Sequence, residues 1–282
     1  MQYRALSYDF ELDVQGHDRL ARHLEALFAP MRHAGPDPVH WVVRATENDA
    51  AGWELVADGG MIASAESATR MVPEVVHKLN TVAIPRWDGV VCHAGGVARD
   101  GLGVVLPAHI EAGKSTLTAG LVRAGFEYVT DEGLAFERDK NLIAPYPKPL
   151  SLDPGSWFLF PELEPRAELG DDDYKQEQWQ VAPDVIRLGA VADPCPAGAI
   201  VFPRYVEGST TELVSVRRAE ALVELAKNTF SFNQQSRFAL EQLAAIVRAI
   251  PCYRLTVGSL ATAVATVEEL VSSLPLDAHA DA

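Results

Sequence analysis

Basic residues are scarce in this sequence: 24 Lys and Arg face 39 Asp and Glu, which gives a net charge of −15 over 282 residues. A protein that holds nucleic acid or an anionic membrane by general charge attraction needs a basic surface. The shortage of basic residues therefore argues against both classes of partner. It also means that any nucleotide must bind in a locally positive pocket, against a repulsive overall field.

Long apolar runs and cysteine pairs are also missing. No stretch approaches the ~18 apolar residues of a membrane helix, and the first residues lack the basic-then-apolar layout of a signal peptide, so we expect a cytoplasmic protein. The three cysteines, Cys92, Cys195 and Cys252, are far apart and odd in number. This pattern predicts reduced, buried thiols rather than disulfides or a zinc site. The eight histidines show no H-E-x-x-H or similar spacing, so we expect no structural metal.

The proportions of hydrophobic and charged residues, 48% and 22%, are those of an ordinary globular protein. The length suits one large domain, or a domain with a smaller partner. Strand-like and helix-like patterns alternate over residues 1–86, where Leu20, Leu24 and Leu27 share one helical face. We predict a small α+β domain over residues 1–86, a second domain over 87–275 and a short tail over 276–282.

The second domain opens with two apolar runs, "GVVCHAGGVA" and "LGVVLPA", which are separated by "RDG" and predict a β-hairpin. The second run leads into "HIEAGKST", and the helical pattern of "KSTLTAGLVRAG" follows, ending at Gly125. A phosphate-binding loop has the pattern G-x-x-x-x-G-K-[ST] between a strand and a helix. Gly113, Lys114 and Ser115 supply its second half, whereas Ala108 replaces the first glycine.

This context predicts a P-loop, or Walker A motif, that binds ATP with Mg²⁺. Backbone N–H groups at a helix N-terminus hold phosphates, and most of that binding survives side-chain changes. Lys114 would bridge phosphates and Ser115 would offer its hydroxyl to Mg²⁺, while Glu111 either faces solvent or weakens binding. The alternative is a Gly-Lys-Ser-Thr sequence that only begins a surface helix. The predicted nucleotide-binding residues are His109, Ile110, Glu111, Ala112, Gly113, Lys114, Ser115 and Thr116.

Two adjacent carboxylates, Asp131 and Glu132, follow the strand-like "FEYVT". We expect this strand to lie beside the loop-bearing strand and the two side chains to point in different directions. One carboxylate can then join the Mg²⁺ shell while the other takes a proton from a hydroxyl nucleophile. The alternative is an acidic turn after a strand. The predicted metal ligands are Ser115, Asp131 and Glu132.

These motifs resemble the HPr kinase/phosphorylase superfamily, which has a GKS-type loop and an Asp pair at the end of the following strand. The 17 positions between Lys114 and Asp131 match the family's spacing. The closer resemblance is to the HPr kinase-related kinases of bacterial peptide-modification and polysaccharide gene clusters. The shared set is "CHAGG", "LPAHIEAGKSTL", "TDE", "KPLSL", "IVFPRY" and "FSFN", in that order, over residues 85–265.

The resemblance implies a P-loop α/β kinase domain of the HPr kinase/phosphoenolpyruvate carboxykinase type, preceded by the small α+β domain. It implies Asp131 as the acid/base and a Ser or Thr of a peptide or protein as acceptor, such as a ribosomally made precursor peptide. Ile110 and Glu111 depart from the small residues that the family has there. The HPr-binding signature of true HPr kinases is not recognisable, so HPr itself is a poor candidate substrate.

Four further residues are candidates with an ordinary alternative each. His93 is either a packed structural residue or catalytic. Lys148 and Arg204 are either surface residues or clamps for phosphate charge, and Arg204 is preferred. Asn233 either caps the following helix or contacts substrate.

The sequence thus favours a Mg²⁺- and ATP-dependent phosphotransferase with Asp131, Lys114, Arg204 and His93 as catalytic residues. Two rivals stay open: a small-molecule kinase or carboxykinase-like lyase, and a non-catalytic nucleotide-sensing subunit. Whether the chain forms a homo-oligomer is also open.

Overall fold

The computed structural model describes residues 1–46, 52–109, 112–165, 169, 173–175, 177–230 and 236–275. The chain is mixed α/β with several sheets and forms two compact units. Unit 1 contains Met1–Arg86 and Pro147–Ile186, and unit 2 contains Trp87–Tyr146 and Arg187–Ala282. In the described part of the chain, no helix has the length and apolarity needed to cross a membrane.

Unit 1 is built on a five-stranded sheet of order β1-β2-β3-β4-β5. Strands β2 and β3 are parallel and are joined through helix α1, while the other neighbours are antiparallel. The bounds are β1 Gln2–Ala5, β2 Tyr8–Val14, α1 Asp18–Phe28, β3 Val39–Ala45, β4 Trp53–Ala57, β5 Gly60–Ala65 and α2 Ala68–Ala83. Leu20, Leu24 and Leu27 are buried on α1, which confirms the predicted helical face.

Residues 147–186 pack with unit 1, whereas the sequence analysis assigned them to the second domain. They contribute β11 Leu150–Leu152, β12 Trp179–Val181 and the short helix α4 Pro183–Ile186. Strands β11 and β12 form their own antiparallel pair. These residues contact the start of α2: the hydroxyl of its N-cap Ser67 donates to Asp173 at 2.5 Å, and the Arg70 guanidinium lies 3.5 Å from Asp173 and 3.4 Å from Glu177. Such tertiary contacts leave no local pattern in the sequence.

Unit 2 is built on an eight-stranded sheet of order β10-β9-β6-β7-β13-β15-β14, with β8 paired to β6. Strands β7, β13 and β15 are parallel. The bounds of its strands and helices are β6 Gly89–Arg99, β7 Leu102–Pro107, α3 Lys114–Arg123, β8 Glu127–Thr130, β9 Gly133–Glu137, β10 Leu142–Ala144, β13 Cys195–Tyr205, β14 Glu212–Ser215, α5 Arg218–Lys227, α6 Ser236–Ala249, β15 Cys252–Val257 and α7 Leu260–Ser273.

The predicted hairpin is confirmed as the antiparallel pair β6–β7. Its turn residues Asp100 and Gly101 have φ of 53° and 75°, the left-handed values that two-residue hairpin turns need. The expectation that β8 lies beside β7 is wrong, because β6 lies between them and pairs with both. Since β8 and β7 are each antiparallel to β6, they run parallel to each other, and their carboxyl ends still meet at one edge of the sheet.

The two faces of this sheet carry different helices. One face packs on α5 and α6 through a buried core that includes Ala94, Ile200, Phe202, Leu225 and Leu243. Because strand side chains alternate between faces, the neighbouring residues of β6 and β13 belong to the face of α3 and α7. All three cysteines are free and buried in unit 2, as predicted.

Helix α3 lies close to β6 because Gly95 has no side chain. A Cβ at this position would lie 2.6 Å from the Thr118 hydroxyl oxygen, closer than carbon and oxygen can pack. Thr118 is fully buried on α3. The glycine therefore sets the distance between the first turns of α3 and the sheet.

We expect Gly95→Ala to destabilise unit 2 by about 1–3 kcal/mol, the usual effect of an extra methyl group in a packed core. Chemical denaturation of the variant measures this change. Gly155→Ala is the matched control, since a Cβ there meets no atom within 4 Å, and it should leave the unfolding free energy almost unchanged. Equal stabilities of the two variants would show that α3 is not held against β6 at Gly95.

Candidate functional site

The site begins where the chain leaves β7 and enters α3. Gly113 precedes the helix with a φ of +82°, a left-handed value that favours glycine. Ala108 is not among the non-glycine residues with positive φ, so the missing first glycine places no strained residue there. The N–H groups of the first helical turn have no acceptor within the helix itself. They point along the helix axis toward the loop that precedes the helix.

Lys114 is nearly buried, with 6% of its surface exposed. Its Nζ donates to the backbone carbonyl of His109 at 2.9 Å, and the Ala112 N–H donates to the same carbonyl at 3.3 Å. The lysine ammonium therefore lies within the loop and not in solvent. Ile110 and Glu111 lie outside the described residues, so the direction of the Glu111 side chain stays a prediction.

Asp131 lies at the centre of the site, with 1% of its surface exposed. Its Oδ2 accepts a hydrogen bond of 2.9 Å from the Ser115 hydroxyl on α3. Its Oδ1 accepts a second bond of 2.9 Å from the Tyr128 hydroxyl on β8. The structure thus brings Ser115 and Asp131 into contact across β6, over Gly95. Sequence reasoning missed Tyr128.

A β-bulge explains why Tyr128 reaches Asp131. In the pairing of β6 with β8, Gly96 is opposite Thr130 but Val97 is opposite Tyr128, so Val129 is an extra residue. In a regular strand, residues three apart point to opposite faces. Because of the extra residue, the side chains of Tyr128 and Asp131 point to the same face of the sheet, the face on which α3 lies. Bulges re-aim side chains in this way beside functional sites.

Glu132 and His93 form the second contact of the site. The Glu132 carboxylate lies 3.5 Å from Nε2 of His93, and its backbone carbonyl accepts from the Ala94 N–H at 3.0 Å. Asp131 and Glu132 therefore have different partners, as the sequence suggested. His93 lies inside β6, with its ring edge-on to Phe230 at 5.7 Å.

The imidazole of His93 is neutral at ordinary pH. Burial, and next the positive charge of Lys114, lower its pKa to about 4, although the charge of Asp131 acts in the opposite direction. The contact between His93 and Glu132 is consequently not an ion pair, despite its short distance. An imidazole with a pKa of about 4 is a weak base at neutral pH, which fits a packing or hydrogen-bonding role of His93 better than proton abstraction.

Two buried tyrosines surround the acidic centre. Burial raises the pKa of Tyr128 and of Tyr146 well above 10, and the negative charge of Asp131 raises both further. Both phenols therefore keep their protons. Tyr128 acts as a hydrogen-bond donor to the carboxylate and never as a competing negative charge.

The sequence also predicts roles for Arg204, Lys148 and Asn233. Arg204 is exposed at the end of β13, and alternation with Ile200 and Phe202 puts it on the face of α5 and α6, opposite to that of α3. Lys148 belongs to unit 1 and is fully buried, with its Nζ donating to the Pro149 carbonyl at 2.9 Å, so it is not an ordinary surface lysine. Asn233 lies outside the described residues.

The donor set at the loop suits Mg²⁺ and a nucleotide phosphate. Ser115, Asp131 and Glu132 offer one hydroxyl and two carboxylates, and Mg²⁺ is usually held by one or two carboxylates together with substrate phosphates. Within the described ranges no cluster of three or more His, Cys, Asp or Glu side chains could hold a metal alone. Gly113 and Lys114 provide the left-handed glycine and the cation that phosphate at a helix N-terminus needs.

The chain has only a distant similarity to the known proteins with which it was compared. No protein-family model and no curated protein matches the chain. Among solved structures, it is similar to the HPr(Ser) kinase/phosphatase from Coxiella burnetii, with 14% identity and a TM-score of 0.35 over 64% of this chain and 93% of that one. A likeness at this level does not determine the chemistry of the present site, which follows from its own residues.

The lowered pKa of His93 predicts a stability change in a defined pH window. Between pH 6.5 and about 4 the unfolded chain binds a proton at this residue that the folded chain does not bind. Stability should therefore fall as the pH is lowered through this window, by at most about 1.4 kcal/mol per pH unit from this group. His93→Gln removes the contribution, so its unfolding free energy should decline less steeply with falling pH than that of the wild type.

Denaturation without nucleotide or divalent metal at several pH values measures the two slopes. An NMR titration of the His93 ring gives its pKa directly. Parallel stability profiles, together with a ring that titrates near 6.5, would contradict the prediction.

Proposed function

We propose that this protein is a Mg²⁺- and ATP-dependent kinase that phosphorylates a Ser or Thr hydroxyl of a peptide or protein. The observation that carries the proposal is the 2.9 Å hydrogen bond between the Ser115 hydroxyl and Oδ2 of Asp131. This bond connects two groups: the start of α3, which is suited to phosphate binding, and the buried Asp131 carboxylate, which is suited to proton transfer. Phosphoryl transfer needs these two functions side by side.

Phosphate binding belongs to the loop between β7 and α3. The first-turn N–H groups of α3 and the helix dipole attract the phosphates, and Lys114 supplies a full positive charge. Because the Lys114 ammonium donates to the His109 carbonyl at 2.9 Å, this side chain lies along the loop before any nucleotide binds. The overall charge of −15 makes this local positive group essential for holding an anion.

The acceptor is activated by Asp131. When bound, ATP supplies the phosphoryl group and Mg²⁺ offsets its negative charge. Ser115 and Glu132 would offer oxygen ligands for the metal, while Asp131 serves as the base. Asp131 would remove the proton from the acceptor hydroxyl as its oxygen bonds to the γ-phosphorus of ATP, while the bond from that phosphorus to the β,γ-bridging oxygen breaks and ADP leaves. Neutral His93, close to Lys114 and Glu132, adds no second positive charge to compete with the metal.

The peptide acceptor is supported by the resemblance of the motifs to peptide-modifying kinases and by the protein's charge. An acidic surface attracts a basic peptide and repels small anionic metabolites, and this steering weakens as salt rises. Exposed carboxylates are frequent in residues 153–184, where Asp153, Glu162, Glu164 and Asp184 are all at the surface. A basic precursor peptide fits this charge distribution better than a phosphorylated or carboxylated metabolite.

Nucleotide binding is tested by thermal or chemical unfolding with Mg²⁺-ATP. Binding to the folded state alone should raise the stability of the wild type by about 2.7 kcal/mol at a hundredfold excess over Kd. Lys114→Ala should abolish this gain, because the loop loses its cation. A wild-type protein whose unfolding is indifferent to Mg²⁺-ATP would overturn the kinase proposal.

Phosphotransfer is tested by incubating the protein with Mg²⁺-ATP and basic peptides that contain Ser or Thr, beginning with short peptides encoded beside its gene. Mass spectrometry should show the gain of one phosphate on a hydroxyl residue, faster at low ionic strength. Asp131→Asn should still bind ATP but transfer phosphate about 10²–10⁴ times more slowly. Phosphorylation of a sugar, a nucleoside or free serine, with every peptide unmodified, would favour a small-molecule kinase.

A further inference from the structure

The two oxygens of the Asp131 carboxylate have different donors. The Tyr128 hydroxyl on β8 donates to Oδ1, whereas the Ser115 hydroxyl in the first turn of α3 donates to Oδ2. Only the second contact lies on the loop side, where phosphate and acceptor would bind. Tyr128 thus holds Oδ1 in place, while Oδ2 faces the loop.

Tyr128 is fixed more firmly than a side chain at a strand end usually is. On one side it pairs with Val97 of β6. On its other side, its N–H donates to the Ala190 carbonyl at 2.5 Å and its own carbonyl accepts from the Ala192 N–H at 3.0 Å. Its ring is fully buried, so both the backbone and the phenol are held in place.

We propose that Tyr128 is a positioning residue, whose hydroxyl fixes Oδ1 of Asp131 and so makes Oδ2 the oxygen that receives the acceptor proton. The inference rests on the proposed kinase function and goes beyond it by assigning a role to Tyr128 and to one carboxylate oxygen. The bulge at Val129 contributes to this positioning, because without the extra residue Tyr128 would point to the opposite face of the sheet.

The role of Asp131 explains why positioning matters. A base must meet the acceptor hydroxyl within hydrogen-bond distance, and small errors in placement slow a reaction strongly. A carboxylate rotates about its terminal bond with little resistance. A protonated donor on Oδ1 restricts that rotation and leaves Oδ2 on the side of Ser115.

The test is Tyr128→Phe, which keeps the ring and removes the hydroxyl. We expect kcat for phosphotransfer to fall about 10–100-fold, the usual effect of losing a partner that orients a functional group. KM for ATP and for the peptide, and the stabilisation by Mg²⁺-ATP, should change less than about twofold. Tyr253→Phe on β15, four strands from β8, is the matched control and should keep wild-type kinetics.

A double-mutant cycle separates positioning from a structural role. In the Asp131→Asn background, Tyr128→Phe should lower kcat by less than about twofold further, since the oxygen that it orients no longer acts as a base. A purely structural role would lower the unfolding temperature and leave kcat unchanged, or would lower kcat by the same factor in both backgrounds. Either result overturns the inference.

Failure of the inference is distinguishable from failure of the proposed function. A wild-type protein that transfers phosphate while Tyr128→Phe matches its kcat overturns the role of Tyr128 alone. A wild-type protein that neither binds Mg²⁺-ATP nor transfers phosphate overturns the kinase proposal and the inference with it. Circular dichroism of each variant establishes that the fold is retained.

Discussion

The candidate site depends on one close approach, that of helix α3 to strand β6 above Gly95. The helix carries Ser115 and Lys114 in its first turn, and the sheet carries Asp131 on the strand beyond β6. A Cβ at position 95 would lie 2.6 Å from the Thr118 hydroxyl oxygen, so either that side chain or the helix would have to shift. The contact between Ser115 and Asp131 crosses β6 at this point, where Gly95 carries no side chain.

A second constraint acts within the sheet. Strands β8 and β9 both pair with β6, with Thr130 opposite Gly96 and Gly133 opposite His93. Asp131 and Glu132 lie in the bend between these two strands, where the Ala94 N–H donates to the Glu132 carbonyl at 3.0 Å. The strand pairing on either side of the bend fixes the backbone of the acidic pair, in which Asp131 is buried and Glu132 is partly exposed. A carboxylate in such a place needs donors on both oxygens, because burying an unpaired charge is costly, and Ser115 and Tyr128 provide them.

Local features of this chain could be predicted from its sequence. The turn at Asp100 and Gly101, the helix that starts at Lys114 and the helical face of Leu20 each depend on residues a few positions apart. The nearness of Ser115 to Asp131 could be anticipated as well, since carboxyl ends of parallel strands share an edge. Their separation by β6 could not, because strand order depends on pairings between distant residues.

The missed features share this origin. Val129 is an ordinary apolar residue, and nothing in "FEYVT" marks it as the extra residue of a bulge, so the sequence does not indicate that Tyr128 reaches Asp131. The sequence leaves Lys148 as either a surface residue or a clamp for phosphate charge, yet its side chain is fully buried. Burial of a lysine depends on the atoms packed around it, and those come from parts of the chain that no local pattern identifies.

The interrupted course of the chain through unit 1 has a consequence for biosynthesis. Residues 1–86 leave the ribosome first, but β11 and β12 follow only after residues 87–146 have been made. The β11–β12 pair buries Leu150, Leu152, Trp179 and Val181, so the nascent protein must hold an incomplete unit 1 while part of unit 2 emerges. A truncated chain that begins at residue 87 would keep residues 147–186 but lack the rest of the unit to which they belong. For the same reason, the two units cannot be exchanged between related proteins by a single crossover at residue 86.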